Sequence, residues 1–250
     1  MRFPRTWLML GGGAYALFLV ATIPAEMALG MVRNRMPDLA ATGVEGTVWR
    51  GRAQALHAAA LDIGPVAWSF RPLALPMLRL EYDAFFQAPG GGGELRLGRG
   101  LFGDPAIRAL RASFDAGTVQ QWLRLPGVAL AGRFETDIDR LVPGEGRVPA
   151  AVEGRITWMD ARVTRPVDLA LGALELVLET EEQQILGRLG DKGGPLEVSG
   201  ELFLTPGGSY RIEGRLKPRP EAGAGLRDAL ALLGSPDRDG RYRFSYAGRL

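Results

Sequence analysis

From residue 43 onward, apolar and polar side chains alternate along the chain with a period of two. Within residues 78–84, for example, every second side chain is charged. The same alternation recurs in residues 128–138, 210–217 and 242–250. It predicts strands with one covered face and one solvated face, which is typical of antiparallel sheets.

A glycine repeatedly interrupts the apolar side of these predicted strands. The order apolar, any residue, glycine, any residue, apolar occurs around Gly46, Gly132, Gly154, Gly187, Gly200, Gly214 and Gly248. A chain with 35 glycines could show this order by chance. Because each glycine falls on the apolar face, however, we expect the missing side chains to let the sheet curl toward that face.

The sequence therefore predicts a mainly β protein with a strongly curved antiparallel sheet, shaped like a half-pipe or an open barrel. Its concave side would be apolar and its convex side rich in arginine. One or two short helices are expected. Residues 223–233 carry leucines at helical spacing before a stop signal at Gly234, and Thr118 caps a shorter turn. The apolar trough would be either filled by the protein's own core or open to an apolar guest.

The N-terminal segment predicts a single transmembrane helix over residues 7–23. This run carries no charge and would nearly cross a hydrocarbon core of about 30 Å. Arg2 and Arg5 precede it, so residues 1–6 are predicted to be a cytoplasmic tail. A cleaved signal peptide is the alternative, because Ile23-Pro24-Ala25 loosely resembles a cleavage site. Residues 24–42 would connect the anchor to a β-domain spanning residues 43–250.

The composition excludes several classes of function but does not identify one. The net charge is +2, and the 30 basic side chains are interspersed with 28 acidic ones, so nucleic-acid binding is not indicated. The absence of cysteine excludes disulfides, thiolate metal sites and thiol catalysis.

No catalytic, cofactor-binding or metal-binding residue is predicted, and the chain is not expected to be an enzyme. His57 is the only histidine and has no nucleophile signature nearby, so hydrolysis is kept only as a hypothesis that His57→Ala would test. Asp237 and Asp239 beside Gly240 resemble part of a calcium loop, but the remaining ligands are missing. We therefore interpret them as a turn that enters the last strand.

Four blocks of the sequence together carry a family resemblance. They are GTVWRGRA at 46–53, GPVAW at 64–68, YRIEG at 210–214 and LGSPDRDGRY at 233–242. With the apolar N-terminus, they resemble the type II secretion system protein N family (GspN). The resemblance implies a single-pass inner-membrane protein with a cytoplasmic N-terminus and a β-rich periplasmic domain, accessory to the machinery that exports folded proteins. The family is also similar in architecture to AsmA-like proteins, whose curved apolar sheets are associated with lipid.

Two functional hypotheses follow. In the first, the domain docks other secretion subunits through a sheet edge or through an arginine surface that includes Arg211, Arg215 and Arg243. In the alternative, AsmA-like hypothesis, the curved apolar sheet binds or transports a lipid. The expected partners are other subunits of the secretion system and the membrane, with a lipid added in the alternative.

Overall fold

The computed structural model describes residues 5–33, 39–58, 61–100, 103, 105–123, 127–144 and 148–249. Residues 1–4 of the predicted tail and Leu250 of the last predicted strand lie outside the described residues. The helices are α1 (Arg5–Ala21), α2 (Ala25–Arg33), α3 (Ala116–Leu123), α4 (Ala224–Ala231) and the 3₁₀ helix Pro72–Met77. The two helices predicted after the N-terminus are thus confirmed as α3 and α4. Thr118, however, does not cap α3 but lies inside it and donates its hydroxyl to the Pro89 carbonyl.

Strands make up more than half of the described residues, which confirms the mainly β prediction. The strands are β1 (Leu39–Thr42), β2 (Glu45–Gly46), β3 (Arg50–Ala53), β4 (Ala55–Ala58), β5 (Leu61–Ile63), β6 (Val66–Phe70), β7 (Arg79–Ala88), β8 (Gly91–Gly100), β9 (Ala106–Asp115), β10 (Ala129–Val142), β11 (Ala151–Arg165), β12 (Leu169–Glu181), β13 (Gln184–Asp191), β14 (Leu196–Leu204), β15 (Ser209–Pro218) and β16 (Tyr242–Arg249).

Thirteen of these strands form one antiparallel sheet in the order β16-β15-β14-β13-β12-β11-β10-β9-β8-β7-β6-β3-β2. Each strand from β6 to β16 pairs with the next one along the chain, so most connections are short. The remaining strands form a small sheet in the order β1-β4-β5.

The strand register keeps two chemically different faces apart across the large sheet. On one side, Phe114 of β9 lies opposite Phe134 of β10, which lies opposite Trp158 of β11. The alternate positions form the other side, where Asp137 of β10 lies opposite Arg155 of β11. We call these the apolar face and the charged face. Directly opposite residues in antiparallel strands share a face, so the alternation in the sequence is carried from strand to strand.

Two local clusters bury parts of the apolar face. In the first, Ile138, Leu178 and Ile185 pack beneath Val148, which lies in the connection between β10 and β11. In the second, α4 lays Leu226 on the sheet, in a cluster whose other buried members are Leu196, Val198, Ala222 and Leu230. Because each cluster covers only its own group of strands, large parts of this face remain half-buried.

The predicted strong curvature is wrong, because the sheet is not strongly curved. At two of the seven glycines the space that a side chain would occupy is filled by an aromatic ring. Gly214 lies opposite Phe244, and a Cβ on Gly214 would lie 2.6 Å from the Phe244 ring. Gly248 lies opposite Tyr210, and its Cβ would lie 2.7 Å from the Tyr210 hydroxyl. A neighbouring ring over the glycine removes the gap that would have allowed the sheet to curl.

The other glycines of the motif are explained by backbone geometry or by close packing. Gly132 has φ +101° where the register of β10 against β11 shifts, which is the conformation of a β-bulge. Backbone or side-chain atoms lie within 3.0 Å of the position that a Cβ would take at Gly46, Gly154, Gly187 and Gly200. These residues therefore allow local close approaches without rolling the sheet.

The predicted transmembrane helix is also wrong. Helix α1 has 17 residues and ends at Ala21, which gives it a length of about 26 Å, shorter than a hydrocarbon core of about 30 Å. Pro24 has no backbone N–H to continue the helix and instead forms a β-bridge with Thr47. Across the part of the chain that the structure describes, no helix combines the length and the apolar character needed to cross a membrane.

An ion pair joins the last residue of β13 to the segment that leads into α4. Arg219 Nη2 donates to Asp191 Oδ1 at 2.7 Å, and the Asp191 side chain is only 9% exposed. Burial by itself would raise the pKa of Asp191. Hydrogen bonds from Val198 N–H, Arg219 and Gly193 N–H outweigh burial and hold this pKa below its ordinary value.

We expect Asp191→Asn to lower the free energy of unfolding by about 1.5–3 kcal/mol at pH 7, because it removes a charge-assisted hydrogen bond. The pKa of Asp191 is lower in the folded chain than in the unfolded one, so its contribution is present above about pH 4 and is lost as the pH falls further. Urea unfolding of the full chain from pH 7 to pH 3 measures this. Glu45→Gln is the control, since it breaks an exposed pair with Arg52 and should cost under about 1 kcal/mol at every pH. A pH-independent loss for Asp191→Asn would contradict the assignment.

Gly214→Ala should destabilise the sheet by about 1–3 kcal/mol, because the new methyl group would press on the Phe244 ring and lie 2.7 Å from the Ser199 carbonyl oxygen. Gly190→Ala, in β13 of the same sheet, is the matched control. No atom lies within 4 Å of its Cβ position, so we expect no loss, or a gain of up to about 1 kcal/mol. Chemical denaturation measures both variants, and equal stabilities would refute the packing argument.

Candidate docking face

The structure brings two of the three predicted docking arginines together. Arg215 of β15 lies directly opposite Arg243 of β16 on the charged face. Both side chains are exposed. Within the described part of the chain, no carboxylate forms an ion pair with either guanidinium group. Like charges directly opposite each other in a sheet are destabilising, so folding stability does not account for this pair.

Arg211 lies farther along the same face. Glu213 separates it from Arg215 on β15, and Arg211 Nη1 lies 3.6 Å from Glu213 Oε1. Across the sheet Arg211 faces Phe203 of β14 and Ala247 of β16. It therefore belongs to the same surface but is partly neutralised.

A fourth arginine, missed by the sequence analysis, completes this surface. Arg188 of β13 lies opposite Glu201 of β14 and forms an ion pair with Glu179 of β12. The sequence did contain a signal, because Arg188 follows Gly187 in the repeated glycine motif, as Arg215 follows Gly214. We call the side chains of Arg188, Arg211, Arg215 and Arg243 the arginine face.

A shallow cavity of about 820 Å³ lies within the arginine face. Three of the arginines line it, together with the carboxylates of Glu201 and Glu213. Another cavity, of about 640 Å³, lies farther along the charged face and is lined by residues that include Arg111, Glu135, Asp137 and Arg155. These cavities lie on the charged side of a sheet that is not strongly curved. Because the sheet is not strongly curved, the predicted apolar trough is wrong, and the AsmA-like hypothesis of lipid binding has no support.

The arginine face reaches the edge of the sheet. β16 is the last strand in the sheet order, so its outer backbone groups have no neighbouring strand among the described residues. Along β16, Arg243 and Arg249 point to the charged face, while Tyr246 lies on the apolar face with its side chain 63% exposed. An edge strand of this kind can accept a partner strand, and charges on it limit unspecific pairing.

The structure also places the other candidate residues. His57 lies in β4, where its strand partners are Ala40 and Asp62. Asp237 Oδ1 accepts hydrogen bonds from the N–H groups of Asp239 at 3.0 Å and Arg241 at 2.9 Å. This confirms the predicted turn into β16. The hydrogen bond from Arg241 N–H has the largest effect on the pKa of Asp237 and lowers it. Together with the bond from Asp239 N–H, it outweighs desolvation, which alone would raise this pKa.

No metal centre accompanies these residues within the described ranges, where no group of three or more His, Asp or Glu side chains could hold an ion.

Comparisons with known proteins cover nearly the whole chain. Residues 37–245 match the family model described as type II secretion system (T2SS), protein N. The type II secretion system protein N of Vibrio cholerae serotype O1 is 30% identical over 239 residues, covering 93% of each chain. The protein of the same name from Aeromonas hydrophila is 26% identical over 241 residues, covering 95% of each chain. No solved structure matches this chain significantly.

Proposed function

Because this chain belongs to the type II secretion system protein N family, and is thus an accessory component of that system, we propose that it docks another subunit through the arginine face. Its role in this proposal is structural and not catalytic. The partner surface would be acidic, since the arginine face carries more positive than negative side chains.

One observation carries this proposal. Arg215 and Arg243 lie opposite each other beside an open sheet edge, and among the described residues neither guanidinium group forms an ion pair, although Asp237 attracts Arg243 at longer range. The two charges repel each other in the isolated chain, and a carboxylate from a partner would relieve that repulsion. Their position beside β16 also lets charge attraction guide a partner toward the exposed strand edge.

We expect the triple variant Arg211→Glu, Arg215→Glu, Arg243→Glu to reduce capture of other secretion subunits about tenfold or more, which corresponds to about 1.4 kcal/mol or more of binding free energy. The measurement is a pull-down with the tagged full-length chain from native membranes, with the secretion subunits quantified by mass spectrometry. The control variant is Arg50→Glu, Arg108→Glu, Arg165→Glu, which makes the same charge change at exposed arginines in β3, β9 and β11. It should retain capture.

The triple variant places three acidic side chains beside Glu201 and Glu213, so urea unfolding must first show that it is folded. The single variant Arg243→Glu tests capture without a like-charged pair. Arg243→Glu alone replaces a like-charged pair by an opposite-charged one, so the unfolding free energy should stay equal or rise by about 0.2–1 kcal/mol. Equal capture by the triple variant and the wild-type chain, or equal loss in both triple variants, would refute docking through the arginine face.

We expect the protein in the cell envelope, where a component of this secretion system works, and we propose that residues 43–250 face the periplasm. The arginine face would then meet the periplasmic part of its partner.

A single introduced cysteine tests this location, because the chain has none of its own. Lys192→Cys places the thiol in an exposed turn after β13. It should react with a membrane-impermeant maleimide in spheroplasts whose inner membrane is intact. The cysteine-free wild-type chain is the control for unspecific labelling. Labelling that appears only after the inner membrane is broken would contradict the periplasmic location.

A further inference from the structure

The connection between β6 and β7 exposes an unusual number of large apolar side chains. It contains the 3₁₀ helix Pro72–Met77. Five apolar residues in this connection and at the start of β7 are exposed. The exposed fraction is 84% for Leu73, 71% for Met77, 62% for Leu78, and 47% for both Leu75 and Leu80. We call these five side chains the apolar loop. Contiguous exposed apolar surface of this kind marks a site of interaction with a protein or a membrane.

The backbone at Leu78 indicates that this exposure is not incidental. Leu78 has φ +55°, in the left-handed region that favours glycine and is rarely adopted by a leucine. The Leu78 N–H donates to the Ala74 and Leu75 carbonyls and so caps the 3₁₀ helix, but this cap does not need a leucine, and the leucine side chain is exposed. A large apolar side chain kept at such a position points to a contact outside this protein.

The apolar loop lies at the same end of the sheet as helix α1. Trp49 Nε1 donates a hydrogen bond to the Val20 carbonyl at 2.7 Å, and Val48 N–H donates to the Ile23 carbonyl at 3.0 Å. Phe70, the last residue of β6 before the loop, donates its N–H to the Trp49 carbonyl at 2.6 Å. These contacts bring the C-terminal end of α1 beside the start of the loop. The final turns of α1 expose apolar side chains as well, at Tyr15, Leu17, Phe18, Leu19 and Val20.

Arginines surround the apolar loop. Arg79 follows the 3₁₀ helix, and Arg71 precedes it but is paired with Asp83 at 3.3 Å and lies 4.0 Å from Glu81. Arg99 of β8 lies opposite Leu80 of β7. Apolar side chains with basic residues at their margin are the combination that binds an anionic lipid surface, where the apolar groups enter the acyl boundary and the basic groups meet phosphates.

We propose that the apolar loop inserts into the surface of a phospholipid bilayer that contains anionic lipids. The loop enters only the interface, because six residues of 3₁₀ helix extend about 12 Å. A lipid surface fits better than a peptide partner. The most exposed side chains stand clear of the protein, and neither cavity described above is lined by loop residues. The contact would orient the sheet with this end toward the membrane.

The test places an environment-sensitive NBD fluorophore on the full-length chain through Leu73→Cys, which is the only thiol in that variant. The probe is measured with vesicles of phosphatidylethanolamine and phosphatidylglycerol. We expect a blue shift of the emission, quenching by a lipid-attached quencher and protection from aqueous iodide. The control is Lys192→Cys, at the opposite end of the strands, which should show none of these changes. The fluorophore reports only on the surroundings of position 73. A chain held on the vesicle by α1 alone would therefore not show these changes.

Two results would overturn the proposal. The first is a probe at position 73 that stays as accessible to iodide as the one at position 192, or a chain that does not bind the vesicles at all. The second is protection that appears only in membranes carrying the other secretion subunits, which would assign the loop to a protein partner. Both results are separate from the pull-down of the arginine face, which depends on strands at the other side of the sheet.

A second variant separates membrane contact from folding. Leu78→Gly removes one apolar side chain and relieves the left-handed backbone, so the chain should stay at least as stable as the wild type in urea. In the Leu73→Cys background, however, it should weaken lipid quenching of the probe. Unchanged quenching, with folding intact, would show that Leu78 does not contact the bilayer and would contradict the role assigned to its exposure.

Discussion

The strand register of the large sheet is the constraint on which the other features depend. In an antiparallel pair, directly opposite residues share a face, so the register of the thirteen strands keeps most apolar and charged side chains on different faces. Phe134 stacks on Trp158, with ring centroids 5.1 Å apart, on one face. Asp137 and Arg155 face each other on the other side. A slip of one residue in any pair would exchange these faces.

In an open sheet of this kind, separate segments of the chain cover separate regions of the apolar face. Helix α4 covers one region, and the Arg219–Asp191 ion pair holds the segment that leads into it. Val148 covers a second region from the connection between β10 and β11. The charged face receives no comparable cover. Its cavities are shallow and lined by ion-forming side chains, which suits reversible docking better than storage of an apolar ligand.

Two surfaces keep features that folding alone does not favour. Arg215 faces Arg243 across a strand pair, and Leu78 holds a left-handed conformation while its side chain is exposed. Each feature costs free energy in the isolated chain, and contact with another molecule would compensate for this cost. In our proposals the first meets an acidic partner subunit and the second meets lipid. The two surfaces lie on different strands of the same sheet, β15–β16 and β6–β7.

The sequence by itself determined the strands, helix α4 and the turn at Asp237, because alternation, helical spacing and turn residues are local properties. Only the tertiary structure decided the rest. Whether Gly214 allows curvature depends on the Phe244 ring opposite it. Trp49 and Val48 donate hydrogen bonds to carbonyl groups at and just after the end of α1. Arg188 likewise joins the arginine face only through strand pairing. These outcomes depend on residues distant in the chain, and a local pattern carries no information about which of them become neighbours.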